Sequence, residues 1–432
     1  MKGRNCGLIL SCLFVSVFLV TGLCVNAEAK PILVGAPASY AAQPWSWSGM
    51  KGQQLATKQI NDAGGVNVGG VKRPFKPELL DTRAEEAGVP VSEALLGIEK
   101  LILEKKVDVL CGGPTMSEAS MAVLDLVAKY NIIHLISSGT WTPGWQKKVG
   151  SNLEKYRTSF KITSSVIYVI PEGADLLNSI KARRGYDTVY VLTQDNVISR
   201  KAAEIFSKLA SKKGYKIVGK DVVPQGTTDY SPQLFQAKRK KAKILLVWTN
   251  DPTAVILMKQ FADLKIPSLM VGFNPAATEE EIWNQVAATE EEIWNQVDGK
   301  CEYSIQPLGA ASNSSSKIPG AAEFQAAYKK FCGKAPFGAA SMSYIGMYVL
   351  KDAIERAGSL DTDALVDALV KTDYMSINGR VRFNPRNHWA KYSDDPNEGL
   401  VSNWFQWIKG KRITVWPRSV ADGDIQLPPW MN

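Results

Sequence analysis

The residues of this 432-residue chain that could meet a small molecule gather just behind short apolar runs. Residues 107–111 (VDVLC) pass into GGPTMSEAS, where Gly112 and Gly113 lead to Ser117 at the start of an amphipathic stretch. A helix start carries unpaired N–H groups and a partial positive charge, so it suits a carboxylate or another oxygen-rich group. Ser117 could instead cap its own helix, and the two readings weigh equally here. Residues 132–136 pass into SSGTWTP, which brings Gly139, Thr140 and Trp141 to the same kind of position. Residues 32–36 pass into PASYAAQPWSWSG, a loop holding Tyr40, Trp45 and Trp47. Three rings among Pro, Ser and Gly fit a stacking wall better than core. Further on, ILLVW (244–248) runs from Trp248 into Asn250, and LMVG (269–272) runs into Asn274.

Covalent and metal chemistry find less support. No GxGxxG follows the first strand, and neither a P-loop, a GxSxG elbow nor a metal-spaced cluster occurs, so no enzyme activity and no cofactor are expected. Asp81, Asp195 and Asp251 lie near strand ends but read as loop or ligand-bonding residues rather than catalytic acids. The two histidines, His134 and His388, read as structural. Past residue 29 the cysteines are Cys111, Cys301 and Cys332, none at C-x-x-C spacing. Cys111 reads as a buried thiol, whereas Cys301 and Cys332 could pair as a disulfide in an oxidising compartment.

That compartment is indicated by the amino end. Lys2 and Arg4 precede an apolar run over 7–25, and Ala27-Glu28-Ala29 has the small-x-small spacing of a cleavage site. Residues 1–29 therefore read as a signal peptide for the Sec route, with no stable membrane insertion after its removal. An uncleaved anchor competes, because the run nearly spans a bilayer, but no basic stop-transfer cluster follows. Losing Lys2, Arg4 and Glu28 lowers the formal charge from +9 to +8. The local basic run at 238–241 lacks interleaved aromatics and reads as a solvated helix end, so no nucleic-acid partner is expected.

The elements that must position these residues form a repeating pattern. Apolar runs at 32–36, near 79, at 107–111 and at 132–136 alternate with amphipathic stretches at 49–63, 92–104 and 117–130. A second series has apolar runs at 188–192, in YKIVG and at 244–248, separated by helical stretches. Strands apolar throughout, with helices between them, specify parallel sheets covered on both faces. The expected class is α/β, with two doubly wound, Rossmann-like lobes. Ligands of such sheets sit beyond the carboxyl ends of the strands, where the residues above lie.

The stretches 49–70 (GMKGQQLATKQINDAGGVNVGG), 107–143, 212–248, 377–388 (INGRVRFNPRNH) and 399–417 carry a resemblance. The chain resembles the leucine/isoleucine/valine-binding family of ABC-transporter periplasmic proteins, which has the type I periplasmic binding-protein fold. The resemblance implies two lobes joined by three hinge crossings near Phe160, Glu302 and Arg380. Lobe 1 would comprise 30–157 plus 306–375, and lobe 2 would comprise 158–305 plus 376–432. It also implies a periplasmic location, ligand capture by closure of the cleft, and a permease of an ABC transporter in the inner membrane as partner. A free-standing periplasmic sensor feeding a membrane signalling protein is the alternative.

Residue by residue, Ser117 matches the family serine that donates to the ligand's carboxylate, and Gly139 matches the position whose carbonyl takes the ammonium. Trp141 falls where the family usually has a threonine, and Asn274 where relatives that bind α-amino acids have a glutamate. Ile198-Ser199 replaces a Tyr-Gly pair. A buried ammonium without an anion is costly. A carboxylate, an amide or a neutral polar solute, aromatic ones included, therefore fits this chain better than an aliphatic amino acid. Trp45, Trp47, Trp141 and Trp248 could cage it. The undecapeptide AATEEEIWNQV occurs twice in tandem over 276–297. Eleven residues turn about 20° beyond three full helical turns, so the copy, read as a duplication without function, can lengthen a lobe-2 helix by about 16 Å without scrambling its faces or project as a bulged loop.

Overall fold

A computed structural model describes residues 29–431 apart from 42–43, 85, 87, 140, 250–253, 274–298, 310–314 and 337. The first series runs β1 (Ile32–Ala38), α1 (Pro44–Asp62), the β2–β3 hairpin (Val66–Val68, Val71–Arg73) and β4 (Phe75–Asp81). It continues through α2 (Val91–Leu103), β5 (Val109–Gly112), α3 (Ser117–Tyr130), β6 (His134–Ile136), α4 (Gly144–Ser151) and β7 (Ser159–Lys161). Five of these strands form a parallel sheet in the order β4-β1-β5-β6-β7. Strands β5, β6 and β7 are buried at every position, as helical layers on both faces require.

The second series opens with α5 (Val166–Arg184) and β8 (Thr188–Gln194), then α6 (Val197–Lys212), β9 (Lys216–Val223) and α7 (Ser231–Arg239). It goes on to β10 (Ile244–Trp248), α8 (Ala254–Asp263), β11 (Leu269–Phe273) and β12 (Ile305–Gly309). Their order, β9-β8-β10-β11-β12, repeats the permutation of the first sheet, with the earliest strand between the second and third. Side chains alternate along β10 as the pleat dictates. Ile244, Leu246 and Trp248 enter the core with α5 and α6, while Leu245 and Val247 enter the core with α7 and α8. Each such aliphatic side chain contributes roughly 1.5–3 kcal/mol on burial.

The chain then returns to the first lobe through α9 (Ala321–Cys332), α10 (Ala340–Ala357), α11 (Thr362–Val370) and the β13–β14 hairpin (Tyr374–Ser376, Gly379–Val381). Helix α10 lies against α1 so closely that a Cβ on Gly52 would fall 2.1 Å from the Ala340 carbonyl oxygen. Only glycine permits that crossing. Finally β15 (Asn403–Ile408) and β16 (Lys411–Trp416) add antiparallel strands to β12, making the second sheet seven-stranded.

Three expected boundaries move. β7 pairs with β6, so the first lobe extends through Lys161 rather than stopping at 157. β12 belongs to the second sheet, so that lobe continues past 305 to Gly309. Val381, Phe383, Tyr392 and Leu400 pack into the first lobe's core, so the last crossing lies just before Asn403 rather than near Arg380. The expected pairing of Cys301 with Cys332 is also corrected, for both thiols are free. Cys301 is sealed in the second lobe's core, whereas Cys332 packs in the first and donates to the Tyr328 carbonyl at 3.3 Å. The duplicated undecapeptide lies outside the described residues. Among those described, no helix is long and apolar enough to cross a membrane.

Candidate ligand-binding cleft

In each sheet the crevice for a ligand lies where the strand order reverses, between β1 and β5 and between β8 and β10. On the first lobe, the ends of three elements converge there. Ser46 stands in the first turn of α1, Thr115 just ahead of α3, and Ser138 just beyond β6. Ser46 Oγ lies 2.8 Å from Thr115 Oγ1, which lies 3.4 Å from Ser138 Oγ. Gly139 follows at φ +69°, and a Cβ there would sit 2.4 Å from the Thr115 carbonyl oxygen. The glycine thus lets the two loops touch and keeps the hydroxyls together.

Ser117 is the first residue of α3, with Met116 in the cap position and no side-chain cap bond. Of its two readings, self-capping is removed, and the first turn keeps its unpaired N–H groups for an incoming oxygen. Trp45 and Trp47 sit in the first turn of α1, which begins at Pro44 rather than near Gly49. Trp45 rests on Gly338, and Lys51 Nζ lies 5.4 Å from the Trp47 ring. The Tyr40 hydroxyl donates back to the Ala36 carbonyl, and burial raises its pKa far above the usual phenol value. Tyr40 therefore fastens the end of β1, where a stacking wall was expected.

The second lobe's rim differs. Asn196 caps α6, accepting from Ser199 N at 2.8 Å. Thr193 Oγ1 donates to the Trp248 carbonyl at 3.0 Å, tying β8 to β10. Trp248 itself is 2% exposed, packed between Phe206 and Phe273 with ring centroids at 6.5 and 5.6 Å. Its expected place in a ligand wall is thereby corrected, because its face follows that of Ile244 and Leu246 into the core. Phe273, at the end of β11, covers it and meets Trp141 of the first lobe at 5.7 Å and 49°. The Trp141 carbonyl also accepts from Ser165 Oγ and Val166 N, where the chain crosses into α5. Thr140, Asn250 and Asn274 lie outside the described residues.

Among the described residues, the nearby titratable groups are neutral or engaged elsewhere; Asp251 lies outside them. Burial pushes the Cys111 thiol up to about 12 and the His134 imidazole down to about 4. Asp81 accepts from the backbone of Ala41 and Arg83, and Asp195 pairs with Arg200 at 3.1 Å. Among the described residues, no carboxylate bonds to Ser46, Thr115, Ser138 or Trp141, and no group of three His, Cys, Asp or Glu could hold a metal. The first lobe offers hydroxyl and N–H donors, and its Trp141 meets Phe273 of the second lobe. Ser46, Thr115, Ser138 and Phe273 were not among the expected residues. Each sits within a few residues of a strand or helix end, the one signal that could have found them.

Known proteins agree with this architecture. The model of a family described as periplasmic binding protein matches residues 36–391. A Leu/Ile/Val-binding protein homolog from Brucella melitensis biotype 1 is 25% identical over 247 residues, 56% of this chain. The chain spans only 57% of that relative's length in the match. A crystal structure assigned to a branched-chain amino acid ABC transporter from Silicibacter pomeroyi superposes with a TM-score of 0.78 at 19% identity. It covers 93% of this chain and 100% of that one. A solute-binding protein of an R. palustris ABC transporter, in complex with benzoate, superposes with a TM-score of 0.63 at 14% identity, covering 89% and 96%. At such identities the structural likeness establishes the fold alone.

Proposed function

Because the chain belongs to the periplasmic binding protein family, we propose that it is the exported solute-capturing component of an ABC importer. It would leave the cytoplasm by the Sec route and lose residues 1–29. The closed, loaded form would then dock on an inner-membrane permease. Its ligand is a small solute bearing a carboxylate or amide, with room for a flat ring. The observation that carries this reading is the pairing of an uncapped α3 start and the Ser46–Thr115–Ser138 hydroxyls with the Trp141–Phe273 ring contact between the lobes. The oxygen-rich end meets donors, and the body of the solute meets rings, so closure is favoured by contacts to both lobes. The Silicibacter relative is assigned to a branched-chain amino acid ABC transporter, and the R. palustris relative is in complex with benzoate. Asn274, standing where relatives that bind α-amino acids have a glutamate, favours the second kind.

Calorimetric titration with leucine, isoleucine, benzoate and benzamide tests the proposal, alongside native mass spectrometry of protein purified from its own host. Binding of benzoate or benzamide at least tenfold tighter than leucine is expected. Tight leucine binding with no heat from the aromatic solutes would overturn it.

A further inference from the structure

A cavity of about 580 Å³ opens at the hinge, away from the strand-end rims. Tyr168 of α5 forms one wall, and the segment 382–392 that returns along the first lobe forms the rest. The rings make a continuous surface, with Trp389 and Tyr392 centroids 5.7 Å apart and Tyr392 and Tyr168 5.2 Å apart. Their polar edges are already fastened. Trp389 Nε1 donates to the Thr163 carbonyl at 2.9 Å, and the Tyr392 hydroxyl to the Ile162 carbonyl at 2.6 Å, both in the first crossing. The Tyr168 hydroxyl bonds to Asp394 at 3.3 Å.

The charges at the rim are unevenly matched. Arg382 is held by Asp373 at 3.0 Å and by Glu398 at 3.7 Å, and Lys391 pairs with Glu398 at 3.0 Å. Arg386 is exposed and has no acidic partner among the described residues. Lys161 lies behind Trp389, its Nζ 5.7 Å from the ring centroid, fully buried and without a hydrogen-bond partner. A second cavity, of about 350 Å³ beside α5, offers no comparable donor. There Arg183 and Arg418 share Asp424, and Arg184 bonds to the Ile425 carbonyl.

We propose that the hinge cavity is a second binding site, separate from the cleft, for a flat aromatic carboxylate. Its volume falls in the range of about 300–1,000 Å³ usual for small-ligand sites. Stacked ring walls take a planar body, and an unpaired guanidinium presents a fork of donors to a carboxylate. Tyr168 stands on α5, just past the first crossing, and its ring packs with Trp389 against the first lobe's core, so an occupant rests on that lobe beside the crossing.

The test is titration and crystal soaking of the protein with 2-naphthoate, using Arg386→Glu for the hinge and Trp141→Ala for the cleft. Naphthoate density in the hinge cavity is expected. R386E should weaken that binding at least tenfold without altering cleft binding, and W141A should leave hinge binding intact. Arg386 is exposed, so circular dichroism of R386E should match that of the native protein. Density in the cleft alone, or hinge affinity unchanged in R386E, overturns this site while leaving the importer reading standing. Density in the hinge alone supports this site and removes the ring-binding reading of the cleft.

Discussion

The two rims of the cleft rest on the same strand permutation, yet the helices that open them differ. Helix α3 of the first lobe begins without a side chain over its first turn, whereas α6 of the second begins under the side chain of Asn196. On the first rim three hydroxyls stand within hydrogen-bonding reach in series; on the second, Thr193 is tied to a neighbouring strand, and Trp248 is sunk beneath Phe273. One fold can thus divide its labour. On the proposed reading, the first lobe would supply the donors for a ligand's oxygens together with Trp141, and the second would bring Phe273 over the rest.

The largest effect should come from breaking the first rim. Gly139→Val places a branched side chain at φ +69°, with its Cβ 2.4 Å from the Thr115 carbonyl oxygen. Strain of roughly 3 kcal/mol should appear in thermal melts, with ligand affinity falling about 100-fold or more by calorimetry. A second variant probes the hinge edge of the same lobe. Burial drives the Lys161 amine down to about 7, so folding carries a charged, unpaired ammonium below that pH. Lys161→Met should stabilise the protein by roughly 2 kcal/mol at pH 6, measured by denaturant unfolding. Between pH 7 and 10.5 the unfolded chain binds the additional proton, so native stability rises with pH and the gain from Met shrinks. A gain that stays constant from pH 6 to pH 10 would contradict this account.

Smaller effects separate the rims. Thr115→Ala removes the middle hydroxyl and should weaken ligand binding about tenfold with little change in stability. Asn196→Ala should do the reverse, costing about 1 kcal/mol in helix capping while shifting affinity less than about twofold. Equal losses of affinity in both variants would dissolve the distinction between the lobes.

Much of this was open to inspection in the amino-acid order. The stretch 117–130 carries a helical apolar period and coincides with α3, and the runs at 188–192 and 244–248 mark β8 and β10. The burial of Trp248 was readable too, since it shares the parity of Ile244 and Leu246. The start of α1 was hidden because Pro, Ser and Trp resemble loop composition, although Pro suits a helix's first turn. The Cys301–Cys332 expectation failed for a different reason. Sequence separation says nothing about which core each thiol enters, and here they enter two. The meeting of Trp141 with Phe273 depends on how two separately folded sheets face each other, which no local period encodes.

The placement of β15 and β16 affects the order in which the molecule can be made. Trp404 and Val415 complete the core around Phe206 and Trp248, more than a hundred and fifty residues after that core begins to form. A chain emerging amino end first has neither lobe finished until its last strands arrive, because the first lobe also waits for residues up to Leu400. Such late, long-range contacts slow folding. Under the proposed export by the Sec route, that delay would keep the chain pliable until it is across the membrane.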